Sequence, residues 1–161
     1  FLLGETREDL SGTTWADVVH NGHLGGMPPL PDFDHEKRLA SVLVSAAKAH
    51  LLSSAHDLAD GGLSQALVES CLRRGLGVAL RLPDGDPTVA LFAETPGRVL
   101  VSLPASTAGA FLALCEQQGI AAERLGEVTE LPELEVVGRF TLDLDELRTR
   151  WTAPLREAMA H

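Results

Sequence analysis

The sequence predicts an α+β fold, a mixed and largely antiparallel sheet with helices packed on one face. Apolar residues recur at helical spacing in some segments and alternate at strand spacing in others. Both crossover and hairpin links join these segments, which separates the chain from a pure bundle or sandwich. With 161 residues and 45% hydrophobic content, the chain can fill one core, built mostly of Leu, Val and Ala because aromatics are only 4%.

Phe1-Leu2-Leu3-Gly4-Glu5-Thr6 reads as a cut strand, without the basic region or initiating Met of a signal peptide. Ser11-Gly12-Thr13 then supplies capping residues for a short helix that ends near Asn21-Gly22. Three prolines in residues 25–31 remove donors and bias their predecessors away from helix, so residues 22–33 read as a linker. Asp32 or Asp34 caps a long helix to about His50, with Leu39, Val42, Leu43, Ala46 and Ala47 as its core stripe.

A strand over residues 54–58 leads into the turn Ala59-Asp60-Gly61-Gly62. Leu63, Ala66, Leu67, Ser70 and Cys71 mark the buried side of the next helix, which Gly75 stops after the dipole-matched Arg73 and Arg74. Residues 76–82 alternate Val78, Leu80 and Leu82 inward as a half-buried strand. After a turn at Pro83-Asp84-Gly85-Asp86-Pro87, residues 91–98 read as strand-turn-strand and run into a strand over 99–103.

A helix over 106–118 turns Ala108, Phe111, Leu112 and Cys115 inward, with Gly119 as its stop. Residues 122–128 and 134–140 read as two strands paired in a hairpin. Asp143-Leu144-Asp145-Glu146 has capping-box spacing and opens a closing helix with Leu144, Leu147, Trp151, Leu155 and Met159 on one face.

Composition excludes several function classes. A net charge of −10 without a basic stripe argues against a nucleic acid partner. No apolar run reaches membrane-spanning length. Cys71 and Cys115 fall on apolar helix faces and read as reduced core residues, which favours the cytoplasm. His20 and His23 have no acidic or thiolate partner at zinc-ligand spacing. The sequence also lacks a phosphate loop, a dinucleotide fingerprint and a nucleophile elbow.

Chemistry concentrates instead at His56-Asp57-Leu58-Ala59-Asp60-Gly61-Gly62-Leu63. The glycines permit a sharp turn, and the helix behind them offers free N–H groups suited to an anion. Asp57 and Asp60 would repel a bare phosphate, so a ligand role calls for a divalent cation between them. The simpler assignment makes Asp60 a helix N-cap and gives Asp57 local backbone bonds. Glu94 and Arg98 flank a second turn and read either as a phosphate-binding pair or as a solvated turn with a surface ion pair.

The string H-D-L-A-D-G-G-L resembles the H-D-x-S-D-G-G-L signature of the C-terminal domains of the aminoimidazole ribonucleotide synthetase superfamily. Four further stretches, residues 2–6, 10–15, 25–29 and 91–98, are similar in order and spacing to the last portion of the phosphoribosylformylglycinamidine synthase family. Selenophosphate synthetase, thiamin-monophosphate kinase and the hydrogenase maturation factor carry different versions of the turn.

The resemblance implies an ATP-dependent C–N ligase of purine biosynthesis, which amidates formylglycinamide ribonucleotide using ATP, Mg and glutamine-derived ammonia. It implies that residues 1–21 are the tail of a preceding N-type ATP-binding domain and 34–161 the C-type domain. The fragment would be inactive alone. Its partners would be the upstream domains of the same chain and a glutamine amidotransferase subunit or domain, with no nucleic acid or membrane. Asp57 would be a Mg ligand, beside Asp60, Gly61, Gly62, Glu94 and Thr95 at a phosphate or auxiliary nucleotide site, and no residue of the chain would be catalytic. Ala59 replaces the usual serine and Thr95-Pro96 replaces Ser-Gln, which removes an amide able to bond phosphate or ribose. The alternatives are a scaffold domain that touches no ligand, or the C-terminal domain of another ATP-using member such as selenophosphate synthetase.

Overall fold

Eight strands and six α-helices follow the order β1 (Leu2–Leu3), α1 (Thr14–Val19), α2 (Phe33–Lys48), β2 (Ser54–Asp57), α3 (Gly62–Arg74), β3 (Gly77–Leu80), α4 (Pro87–Phe92), β4 (Val99–Ser102), α5 (Ala108–Gln117), β5 (Ala122–Glu123), β6 (Gly126–Thr129), β7 (Glu133–Val136), β8 (Phe140–Asp143) and α6 (Leu144–Met159) in the described residues. This computed structural model describes residues 1–22 and 25–160, so the reading of His23 as a non-ligand lies outside the described residues. The α+β class is as expected, but the strands form two four-stranded sheets rather than one. The chain divides into two compact units, Phe1–Ala66 with Leu82–Leu125, and Leu67–Arg81 with the segment from Gly126 onward.

The first unit is built on the sheet β2-β4-β1-β5, antiparallel throughout. The expected cut strand is not without partners. β1 lies between β4 and β5, with Leu2 opposite Leu100 and Glu123, and both of its leucines are buried. Residues 1–21, expected as the tail of a preceding domain, thus fall within the same unit as α2 and β2.

Asp32 starts α2 by accepting from the N–H groups of Asp34 and His35. Leu39, Val42 and Ala46 of the expected stripe are buried, Leu43 is half-buried, and Ala47 is exposed. The buried three pack with Leu3, Val99, Val101, Phe111, Cys115 and Ile120 into one core. The expected 106–118 helix is a 3-10 turn at Ala105–Thr107 followed by α5, on which Leu112 is 38% exposed rather than inward.

Two further expectations are corrected. Residues 91–98 are not strand-turn-strand, because α4 occupies Pro87–Phe92. Asp86 caps it by accepting from the Thr88 N–H, and Pro87 sits in the first helical turn, where a missing N–H costs nothing.

The 122–128 and 134–140 segments do not form a hairpin. The first breaks into β5 in one sheet and β6 in the other, and β6 and β7 both pair with β3, antiparallel and parallel respectively. The actual hairpin is β7 with β8, and the second sheet runs β6-β3-β7-β8. Gly77 explains why β3 can enter between them: a Cβ there would sit 2.0 Å from the Leu131 carbonyl and 2.4 Å from that of Glu133. Leu80, Leu134, Val136 and Leu144 are the buried hydrophobic side chains of this second unit's strands and closing helix. Asp143 caps α6 as expected, accepting from the N–H groups of Asp145 and Glu146.

No described helix is long and apolar enough to cross a membrane.

Two measurements check this architecture. Leu39→Ala should lower stability by about 2–5 kcal/mol in urea titration, whereas Ala47→Ser, on the exposed side of the same helix, should change it by under about 0.5 kcal/mol. Amide exchange at residues 2–4 should match that of β4 to within about tenfold, as expected of a strand paired on both sides.

Candidate functional site

The glycine turn and the Glu94 turn meet through backbone donors. Gly61 and Gly62 both adopt positive φ, 76° and 60°. A Cβ on Gly62 would lie 2.5 Å from the Ala93 carbonyl and 2.9 Å from that of Leu91, so only glycine lets these segments approach. At that junction Glu94 Oε1 accepts from the Gly61 N–H at 2.7 Å and from the Thr14 N–H at 2.9 Å. One carboxylate oxygen therefore joins the entry of α3 to the entry of α1.

The Glu94 turn is itself fastened from below. Arg98 is only 2% exposed, and its guanidinium donates to the carbonyls of Ala93 and Thr95 and to Thr6 Oγ1. Burial pulls its pKa down to about 10, with Asp9 opposing that shift. It still carries its charge at neutral pH, where the carbonyl dipoles replace the water it has lost. Thr95, also buried, accepts from the Arg7 N–H at 3.1 Å and donates to the Arg7 carbonyl at 3.3 Å. His35 on α2 closes the far side, its Nε2 lying 2.8 Å from the Gly97 carbonyl. A carbonyl only accepts, so Nε2 carries the proton in that bond.

These contacts revise several sequence assignments. Glu94 and Arg98 do not form a surface ion pair: Glu94 bonds backbone N–H groups, and the buried Arg98 bonds two carbonyls and the Thr6 hydroxyl. Asp60 is exposed and stands one residue ahead of the N-cap position, because α3 begins at Gly62, whose N–H bonds the Ala59 carbonyl at 3.0 Å. Asp57 ends β2 with its side chain 81% exposed, and its Oδ1 is 3.9 Å from His56 Nδ1. That nitrogen is 2.6 Å from the Asp57 carbonyl, so it donates there rather than to the carboxylate.

Gly61, Gly62, Glu94 and Thr95 are thus brought into one hydrogen-bonded cluster, while Asp57 and Asp60 remain at the surface. Thr6 and Arg7 are site residues that sequence reasoning missed, while Thr13 caps as its type suggests and Arg98 is in the site but buried under the turn rather than paired with Glu94. Thr13 caps α1 by accepting from the Ala16 N–H, and its hydroxyl donates to the Leu10 carbonyl. For Arg98 the sequence offers one signal, its place directly before the strand that opens with Val99.

The described residues contain no group of three metal-ligating side chains. One exposed carboxylate, Asp57, fits a Mg²⁺ ion held mainly by water and phosphate oxygens, and does not fit a protein-enclosed ion. Cys71 is buried and its thiol pKa is pushed up to about 11 by desolvation, which suits a core residue rather than a nucleophile.

Glu94→Ala should destabilise the chain by about 1–2 kcal/mol by orphaning two N–H groups, and Glu94→Gln, which keeps an acceptor oxygen, by less than about 1 kcal/mol. Arg98→Lys should cost more than Glu94→Gln, because a lysine cannot span three acceptors in the guanidinium plane. Thermal or urea melts of the three variants check the order.

Residues 1–139 match the family AIR synthase related protein, C-terminal domain. The chain is 54% identical over 158 residues to phosphoribosylformylglycinamidine synthase subunit PurL of Cutibacterium acnes, covering 98% of this chain and 21% of that protein. It is 53% identical over 159 residues to the same subunit of Nocardioides sp., covering 99% and 20%. It therefore spans about a fifth of the length of these relatives. Among solved structures, it is similar to Thermotoga maritima PurL complexed with FGAR, with TM-score 0.77 and 20% identity over 91% of this chain and 27% of that one. The same protein complexed with ATP gives TM-score 0.70 at 21% identity over 91% and 24%. PurLQS from Thermotoga maritima gives 0.69 at 21% over 91% and 25%.

Proposed function

The chain belongs to the AIR synthase related protein, C-terminal domain family, and on that premise we propose that it forms the C-terminal part of a phosphoribosylformylglycinamidine synthase. In this reading the complete enzyme is an ATP-dependent C–N ligase that amidates formylglycinamide ribonucleotide with glutamine-derived ammonia in purine biosynthesis. The observation that carries it is the 54% identity across 98% of the chain. The likeness in fold to T. maritima PurL structures complexed with FGAR and with ATP supports it.

The residues divide the labour. Glu94, Arg98 and Thr95 keep the glycine turn in shape through bonds made mostly to backbone groups. Asp57 is the group left over for a ligand, because its carboxylate projects into solvent at the end of β2. We assign it to the edge of an auxiliary nucleotide site, where it would hold Mg²⁺ on a bound phosphate. When present, that ion neutralises phosphate charge and orients the phosphate oxygens. Asp60 lies close in sequence and would add negative charge on the same side.

Between Lys48 and Arg73 the chain has no lysine or arginine, so this segment supplies no cationic clamp of the kind phosphoryl transfer needs. Those cations would come from an N-type domain preceding this one, and the ammonia from a glutamine amidotransferase. The setting would be the cytoplasm. PurLQS from Thermotoga maritima, a structure of matching fold, is consistent with such an assembly.

The test uses two proteins. Residues 1–161 alone should neither hydrolyse ATP nor form the amidine, and turnover by the isolated chain would refute the composite site. In the complete synthase, Asp57→Asn should weaken retention of nucleotide or Mg²⁺ by about tenfold or more with the melting temperature unchanged. Unaltered retention would assign this domain to scaffolding alone.

A further inference from the structure

We propose that the distal half of α6 is a docking face for the part of the synthase polypeptide that lies outside this domain, an inference that rests on the synthase reading above. The face is defined by a gradient. Along one stripe of a helix about 24 Å long, Leu144 is 1% exposed, Leu147 is half-buried, and Trp151, Leu155 and Met159 are 52%, 67% and 77% exposed. The proximal half is anchored in its own unit, by the Asp143 cap and by the guanidinium of Arg148 donating to the Leu72 carbonyl at 2.8 Å. The distal half continues the same apolar stripe into solvent. One of the chain's two tryptophans stands on it.

This half is also poorly self-sufficient as a helix. Pro154 interrupts the hydrogen-bond ladder, and the hydroxyls of Thr149 and Thr152 bond back to the carbonyls of Asp145 and Arg148. An apolar stripe on such a segment gains most from a surface that covers it.

Area and alignment identify the occupant. Scaling about 150–250 Å² per large side chain by these exposures, Trp151, Leu155 and Met159 offer on the order of 400 Å². A stable complex of separate molecules buries about 800 Å² on each partner. A patch this small holds a partner only when tethering keeps that partner at high effective concentration. A second copy and a freely diffusing subunit are not tethered, whereas the remaining four-fifths of a PurL-like chain is.

The match to the family-wide domain ends at residue 139, before α6 begins, yet alignment to the PurL subunits covers 98% and 99% of the chain and so includes it. The helix therefore belongs to what the chain shares with the long PurL subunits beyond the common domain, as an element docking on the rest of such a polypeptide would.

Hydrogen exchange followed by mass spectrometry over residues 148–159 tests the proposal in the 161-residue chain and in the complete synthase. The expected result is at least tenfold slower exchange in the complete protein. Leu155→Glu should abolish that difference without changing the melting temperature of the 161-residue chain. Equal exchange in both proteins would overturn the proposal. So would protection that grows with the concentration of the 161-residue chain, which would identify a second copy, or protection that appears only on adding the amidotransferase. Amidine formation by the wild-type synthase is scored separately. A protected helix in a protein that makes no amidine would remove the synthase reading and leave the docking face, while an exposed helix in an active synthase would do the reverse.

Discussion

The turns of the first unit are joined by one of the protein's own carboxylates. Glu94 places one oxygen between the N–H of Gly61 and the N–H of Thr14, where the glycine turn would otherwise present a free donor to an external anion. The bond is available because Arg98 holds the carbonyls of Ala93 and Thr95 underneath, and because Gly62 has no side chain to separate the segments. Each part needs the other two. Without the buried guanidinium the turn loses its base, and with any side chain at residue 62 the carboxylate could not reach.

That internal contact changes what the glycine-rich motif means. A turn of this sequence reads as a phosphate cradle, but its first amide is spoken for by the protein's own anion. Asp57, four residues earlier, and Asp60 are both exposed and take no part in that contact. The motif therefore contributes two unlike things, a rigid joint made by its glycines and a loose carboxylate at its strand end.

Local signals in the sequence were legible wherever a single element decides the outcome. Asp32 and Asp143 cap the helices their spacing indicates, and Leu39, Val42 and Ala46 are buried as the stripe requires. Pairing between distant segments was not legible. A hairpin was the economical partner for residues 122–128, yet β3 intervenes, and the missing side chains of Gly77 and Gly126 let the strands approach there. The Asp86-Pro87 start of α4 was a readable helix signal that the adjoining β-branched and aromatic residues outweighed. The site was half legible: the two turns stood out by residue type, but Arg98 on a short polar stretch looks the same whether it points outward or is buried. Only tertiary contacts decide that.

The register of the two sheets also dictates an order of assembly. Leu2 of β1 pairs with Leu100, 98 positions later, and Val78 of β3 pairs with Val128, 50 positions later. During synthesis at about 5–20 residues per second, β1 waits roughly 5–20 s for its partner to be made. Over that interval Leu2 and Leu3 have neither β4 nor β5 to pair with. The buried leucines of β1 therefore reach their place in the sheet only after a segment almost a hundred residues further along has been made.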